Sequence, residues 1–358
     1  AMQWLAIGHL YWAGLGLYVL LRVLEPGGDA VARPAALFGA LAFALCDPLF
    51  LHLGNLNLIA VLSWFGWIFA AFTVALRRRS LRWTAITALI FAAGTYAGHA
   101  QSSYYVGMAL GIFALGWTAT GWDQGGSWAI RRTGKLWPLV SLVMVAGLNF
   151  LLSAPIVLPA WEMADYTARG DLSYQETTTY SLAPTQAAVG LVTPGFFGRG
   201  PALHWSLWDR VETPFAGVST LLLAVGAFFW GTPRVRRELW TWLALALFGL
   251  VTALGVYALL HGWLTVLLPG YDQFRAPARA IVLWAFAASV LGGIGLDQAV
   301  RAFDAGRVQD AIAPRDAGSG AGRGYMRFVA IGGVILAGVG VPLAYYALLT
   351  TQADGDLF

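Results

Sequence analysis

Residues 57–79 read NLIAVLSWFGWIFAAFTVALRRR, an apolar run that ends in three arginines. A helix needs about 20 apolar residues to cross the roughly 30 Å hydrocarbon core of a membrane. Arginine and lysine concentrate at the cytoplasmic ends of such helices. The stretch therefore predicts a transmembrane helix that ends in the cytoplasm, and it does not resemble the alternating strands, of about ten residues each, of a membrane β-barrel.

The composition of the whole chain agrees with this stretch. The 358 residues are 58% hydrophobic and 11% charged, and the mean hydropathy is +0.66. Soluble proteins carry about 25% charged residues. The sequence therefore predicts an all-α, polytopic integral membrane protein. Its one cysteine, Cys46, lies among apolar residues, which favours a buried and unreactive side chain.

Hydropathy predicts about ten transmembrane helices with one long extracytoplasmic loop. The candidate spans are 3–22, 34–46, 57–76, 84–98, 103–121, 137–159, 214–231, 239–262, 280–297 and 328–349. They divide the chain into an N-terminal bundle (1–159, about six spans), a loop or lid (160–213) and a C-terminal bundle (214–358, about four spans). A loop of that length favours a folded lid or a substrate surface.

Placing the RRR at 77–79 in the cytoplasm fixes every other connection by alternation. This assignment puts 17 of the 22 basic residues on the cytoplasmic side, which is the bias expected of a membrane protein. The outer side receives all five histidines and the other five arginines, which are Arg169, Arg199, Arg210, Arg275 and Arg279. The net charge of +4 is thus explained mainly by topology, and no nucleic-acid partner is expected. Candidate chemistry faces the extracytoplasmic side.

The stretch AGHAQSSYYVG (97–107) concentrates polar side chains at a predicted outer hairpin. Ser102 and Ser103 are predicted to cap the following helix, whose N-terminus would favour an anion. His99, Gln101 and Tyr105 are candidate substrate-binding residues there. The alternative is structural, with capping serines, interfacial tyrosines and a histidine bonded to a neighbouring carbonyl.

The stretch YDQFRAPARAIVLW (271–284) places two arginines at a second predicted outer helix start. Pro277 suits the first turn of that helix. Arg275 and Arg279 would suit a phosphate or diphosphate, which guanidinium groups bind bidentately. The alternative is that they reach lipid headgroups or pair with Asp272.

The stretch PAWEMADYTARGDLSY (159–174) opens the long loop. If it is helical, Glu162 and Asp165 share a face, with Arg169 a further turn on. Glu162 and Asp165 are the candidate catalytic residues, as general bases on an acceptor hydroxyl, and Arg169 is a candidate substrate-binding residue. The alternative is that these charges are only solvated.

The stretch CDPLFLHLGNLN (46–57) brings Asp47, His52 and Asn55 to another outer hairpin, where Asn55 or Asn57 is also a candidate cap. These side chains include ligand types for a divalent metal ion, but their spacing matches no strict ligand motif. The sequence therefore predicts no particular cofactor or metal site and leaves a divalent metal open. No Walker loop, dinucleotide fingerprint, Ser-His-Asp signature or haem motif is found.

The order of these segments resembles the YfhO-like bacterial membrane proteins, which belong to the superfamily of polytopic glycosyltransferases with the C-type fold (GT-C). The resemblance covers most of residues 5–300. It rests on HLYWAGLGLYVLLRVL, AGHAQSSYY, APIVLPAWEMADYTARG, SLAPTQAAVGLVTPGFFG, ETPFAGVSTLLLA and FRAPARAIVLWAFAASVLGGIGLD. Family members often read GHPQ where this chain has Ala100 in place of proline.

The resemblance implies a bacterial cytoplasmic membrane protein that transfers a sugar from a polyprenyl-phosphate donor to a lipid-linked or cell-envelope acceptor on the outer face. The expected partners are those two substrates, membrane lipids and other membrane proteins. The superfamily's usual catalytic acid lies in a first outer loop that has no counterpart in this sequence. The resemblance therefore implies either a longer protein with a span and a loop before Ala1, or a relative that has lost this acid and serves as a scaffold. Two alternatives stay open: a non-catalytic assembly subunit, and a lipid or polysaccharide transporter, which the scarcity of mid-membrane charges disfavours.

Overall fold

A computed structural model describes residues 2–120, 134–164, 166–167, 170, 172–196 and 212–303. Over this part of the chain the regular structure is entirely helical. Four segments are long and apolar enough to cross a membrane, namely Met2–Leu24, Leu56–Arg78, Trp137–Ala164 and Pro277–Ala302. The prediction of an all-α membrane protein is confirmed to this extent. The tenth predicted span, 328–349, lies outside the described residues.

Fourteen helices are described. They are α1 (Met2–Leu24), α2 (Arg33–Ala44), α3 (Asp47–Phe50), α4 (Leu56–Ser63), α5 (Phe65–Arg78), α6 (Leu81–Thr95), α7 (Ala100–Thr120), α8 (Trp137–Ala164), α9 (Tyr174–Thr177), α10 (Pro184–Gly190), α11 (Val218–Trp230), α12 (Pro233–Ala253), α13 (Leu259–Leu267) and α14 (Ile281–Ala302). Short 3-10 turns occupy Pro26–Gly28, Gly255–Tyr257, Tyr271–Gln273 and Pro277–Ala280.

Helix α14 is the centre of the bundle. It packs against α2, α11 and α12, and almost all of its length is buried. Small residues allow these helices to approach closely: a Cβ on Gly295 would overlap the backbone carbonyl of Leu223 on α11. Aromatic rings fill the adjacent space, with Phe286 stacked on Phe65 at 4.0 Å between centroids.

Two of the differences from the predicted helix boundaries bear on the candidate site. The span predicted over 239–262 is two helices, because α12 ends at Ala253 and the chain turns at Gly255, where φ is +51°. The helix predicted to begin at 103 begins at Ala100. Ser102 and Ser103 therefore lie inside α7 and are buried, so the prediction that they cap it is wrong.

Each end of the bundle carries a group of charged and polar side chains. At one end, which we call the arginine end, Arg77 pairs with Glu25 and Arg301 pairs with Asp29 at 3.0 Å and Asp297 at 2.8 Å. The other end is formed by the connections after α2, α6 and α12 and carries the candidate site. Residues that alternation assigns to one side of the membrane thus lie together in the fold.

Candidate functional site

Three of the four polar segments found in the sequence meet at the end opposite the arginine end. We call the polar side chains that meet there the polar cluster. It consists of Asp47, His52, Gln101, Tyr105, Glu212, Thr213, His261, Tyr271 and Arg279. Asp47 lies on α3, and His52 follows that helix. The other members lie on α7 (Gln101 and Tyr105), on α13 (His261), on the two 3-10 turns before α14 (Tyr271 and Arg279) and in the segment before α11 (Glu212 and Thr213).

Gln101 is the centre of the polar cluster. Its Nε2 donates to the backbone carbonyl of Arg275 at 2.8 Å and to the Tyr105 hydroxyl at 3.0 Å. Its Oε1 accepts from Nη1 of Arg279 at 3.0 Å. One buried amide therefore fixes the start of α14 against α7 and orients the Arg279 guanidinium.

A line of buried hydrogen bonds continues from Gln101. The Tyr105 hydroxyl bonds to Tyr271, and the Tyr271 hydroxyl lies 3.3 Å from Nδ1 of His261. The polar cluster thus extends from Arg279 to the base of α13.

Asp47 is a buried carboxylate of the polar cluster. It begins α3, its carboxylate accepts from the Thr213 hydroxyl, and its amide donates to the carbonyl of Phe215 at 2.9 Å. A buried carboxylate needs such donors to compensate for lost hydration. These bonds also dock the loop before α11 onto α3.

His52 and Glu212 form an ion pair in the polar cluster. His52 Nε2 lies 3.2 Å from Oε1 of Glu212, and Nδ1 lies 2.8 Å from the carbonyl of Pro48. Both contacts are with acceptors, which suits a doubly protonated imidazolium. Burial lowers the pKa of His52. The Glu212 carboxylate and the Pro48 hydrogen bond together raise it by more than burial lowers it, so the pKa lies above the ordinary histidine value.

Arg279 places a positive charge beside these acids. It interacts electrostatically with His52, where it opposes the imidazolium, and with the Tyr105 hydroxyl, which also senses Glu212. The Glu212 carboxylate, the His52 imidazole and the half-buried Arg279 guanidinium therefore lie within electrostatic reach of one another. The second buried carboxylate, Asp47, is bonded to Thr213, the residue that follows Glu212. Such a site can hold an anion at Arg279 and accept a proton at a carboxylate.

Arg275 and His99 lie at the edge of the polar cluster. The Arg275 side chain is exposed, and it is the backbone carbonyl of this residue that Gln101 binds. His99 precedes α7, and its Nδ1 accepts from the amide of Ser102 at 3.2 Å. His99 therefore provides the cap that was predicted for the serines.

The segment at the loop entry is placed differently. Helix α8 extends to Ala164 and carries Glu162 on an exposed surface. No described contact connects Glu162 with the polar cluster. Asp165 and Arg169 lie outside the described residues, so their predicted roles stay predictions.

Part of the segment predicted as the long loop packs beside the polar cluster. The amides of Ala276 and Ala278 donate to the carbonyls of Thr179 and Tyr180, at 3.1 and 3.3 Å. The amide of Leu182 donates to the carbonyl of Ala253 at 2.9 Å. The segment between α9 and α10 thus closes over the end of α12 and the start of α14.

Sequence reasoning missed Glu212. It follows a loop and stands in the turn sequence ETP, and no spacing connects it with His52, 160 positions earlier in the chain. The signal that could have found it is an acid immediately before an apolar span on the predicted outer side. Among the described residues, no group of three or more His, Cys, Asp or Glu side chains could hold a metal ion.

Asn55 and Cys46 complete the hairpin after α2. Asn55 stands at the N-cap of α4, but its side chain makes no capping hydrogen bond, and the Asn57 side chain instead accepts from the amide of Leu58 at 2.9 Å. Cys46 is buried, as predicted.

Comparisons of the chain with protein-family models, with curated proteins and with solved structures give no match.

Proposed function

We propose that this protein is a membrane glycosyltransferase that transfers a sugar from a polyprenyl-phosphate donor to a lipid-linked or cell-envelope acceptor on the extracytoplasmic face. The polar cluster would be its active site. The arginine end would then face the cytoplasm, in keeping with the distribution of basic residues.

One observation carries this proposal. Segments that are far apart in the chain bring Asp47, Glu212 and Arg279 to one end of an apolar helical bundle. Buried acids and a half-buried guanidinium are costly to maintain, and such groups in a membrane protein generally serve function. A lipid-linked phosphate would reach this end of the bundle from the bilayer and would there meet Arg279, which Gln101 holds in place.

The chemistry requires a base and a phosphate-binding group. Glu212 or Asp47 would take the proton of an acceptor hydroxyl as its oxygen bonds to the anomeric carbon of the sugar. The bond from that carbon to the phosphate oxygen breaks, and the polyprenyl phosphate leaves with the electron pair. Arg279 would stabilise the negative charge that develops on this leaving group.

The test measures sugar transfer in proteoliposomes with labelled polyprenyl-phosphate sugars as donors. We expect Glu212→Gln and Arg279→Gln each to reduce turnover by about 100-fold or more, because each removes a proposed reacting or charge-stabilising group. Arg234→Gln, at an exposed position on α12, is the matched control and should retain activity.

Two further variants decide between sites. Arg275→Gln should reduce transfer less than Arg279→Gln, because the Arg275 side chain is exposed. Glu162→Gln should reduce it less than Glu212→Gln if the base lies in the polar cluster. Full activity in both Glu212→Gln and Arg279→Gln would refute the site. Absence of transfer with any donor, together with copurification of another membrane protein, would favour the assembly-subunit alternative.

A further inference from the structure

Helix α13 exposes an apolar stripe although it is not a spanning helix. Its sequence is LLHGWLTVL, and Leu259, Trp263, Val266 and Leu267 are 85%, 61%, 81% and 66% exposed. Their spacing of four, three and one places them on one face of the helix. His261 and Leu264 lie on the opposite face and are buried.

Both ends of the segment that contains α13 are fixed at the same end of the bundle. Ala253, the last residue of α12, bonds to Leu182, and Ala276 and Ala278 bond to the neighbouring residues Thr179 and Tyr180. The chain therefore leaves and returns at one level. The nine residues of α13 extend about 13 Å, which is less than half of the hydrocarbon thickness.

The buried face of α13 holds it against the polar cluster. His261 contacts the Tyr271 hydroxyl at 3.3 Å, and the turn after α13 is fixed by the Tyr104 hydroxyl, which donates to the carbonyl of Pro269 at 3.1 Å. These contacts attach α13 beside the N-terminus of α7. The exposed stripe consequently points away from the bundle.

The stripe has the chemistry of a surface that contacts lipid. No Asp, Glu, Lys or Arg occurs from Val256 to Tyr271, and the adjacent Val256 and Tyr257 are also more than half exposed. Four large apolar side chains facing water would be unfavourable. Tryptophan and tyrosine at the ends of spanning helices are typical of the membrane interface.

We propose that α13 lies flat in the boundary between the headgroups and the acyl chains, with Leu259, Trp263, Val266 and Leu267 in the acyl chains. The occupant of this surface is the bilayer itself. The buried face of α13 connects the stripe to the polar cluster through His261. This proposal does not depend on the glycosyltransferase assignment.

The test is the depth of nitroxide labels in proteoliposomes, measured by the relaxing effects of oxygen and of a water-soluble nickel chelate. Leu259→Cys and Leu267→Cys are eight residues apart on α13. Val143→Cys and Leu151→Cys are the matched control pair, also eight apart, exposed at 70% and 69% on the spanning helix α8. Wild-type Cys46 is buried and defines background labelling.

We expect the two α13 labels to lie at nearly the same depth, about 5–10 Å below the headgroups. The two α8 labels should differ in depth by about 12 Å, the axial rise of eight helical residues. A similar difference within the α13 pair would mean that α13 crosses the membrane and would overturn the proposal. Strong access to the nickel chelate, or poor access to both reagents, would also overturn it, since water or another protein would then cover the stripe. Trp263→Cys and Val266→Cys provide an independent second pair.

Discussion

Replacing Gln101 with methionine should destabilise the protein far more than its position near a helix start suggests. Methionine has a similar length and can occupy the same space, but it offers no hydrogen-bond donor. The carbonyl of Arg275, the Tyr105 hydroxyl and Nη1 of Arg279 would each lose a partner.

The expected magnitude follows from those three bonds. A neutral buried hydrogen bond contributes about 1 kcal/mol, and one to a charged group contributes about 1.5–3 kcal/mol. Because Arg279 is only half-buried, water can partly replace its bond, which places the total at about 2–4 kcal/mol. A loss of this size should lower Tm by about 3–5 °C, because a chain of 358 residues unfolds with an entropy of about 0.75 kcal/mol/K.

The assay is thermal unfolding in detergent micelles, followed by the monodisperse fraction that remains after heating. Gln175→Met, at an exposed position on α9, makes the same chemical change outside the buried network and is the control. If Gln101→Met and Gln175→Met unfold at the same temperature, Gln101 does not join α7 to α14 and the reasoning is refuted.

Two other changes probe the fold and the polar cluster. Gly295→Ala should lower Tm, because the new Cβ would meet the carbonyl of Leu223. Gly111→Ala is the control: a Cβ there meets nothing, so Tm should stay unchanged or rise slightly. A lower Tm for Gly111→Ala than for Gly295→Ala would contradict the packing of α14 on α11. The raised pKa of His52 means that the ion pair with Glu212 stabilises the protein below about pH 6.5 and that this contribution is lost as the pH rises through the folded-state pKa. Tm should therefore fall across that range more steeply in the wild type than in Glu212→Gln, and equal slopes would show that the pair makes no contribution.

The helices themselves could be predicted because their apolar runs are long and separated by charged or turn residues. The break between α12 and α13 could not, since the sequence from Leu254 to Leu260 is continuously apolar. Only the turn at Gly255 and the attachment of His261 to Tyr271 distinguish a bent segment from a longer span. These are tertiary facts, and hydropathy does not encode them.

The candidate site was predicted in part for a similar reason. Gln101, Tyr105 and Arg279 stood out because they are polar residues at the ends of apolar runs, and the structure places them together. Glu212 did not stand out, because its partner His52 is distant in the chain and a loop acid is usually solvated. The role of His99 was assigned to serines, since helix starts are the least certain part of a pattern.

The burial of α14 has a consequence for biosynthesis. Ribosomes deliver helices to the membrane in chain order, so α2, α11 and α12 are in place before α14, the helix that they all surround. Until α14 arrives, the surfaces of these helices that face it lack their native partner. A nascent chain that stops before Ile281 should therefore lack the central helix of its bundle. We expect membrane quality-control proteases to degrade it faster than the complete chain.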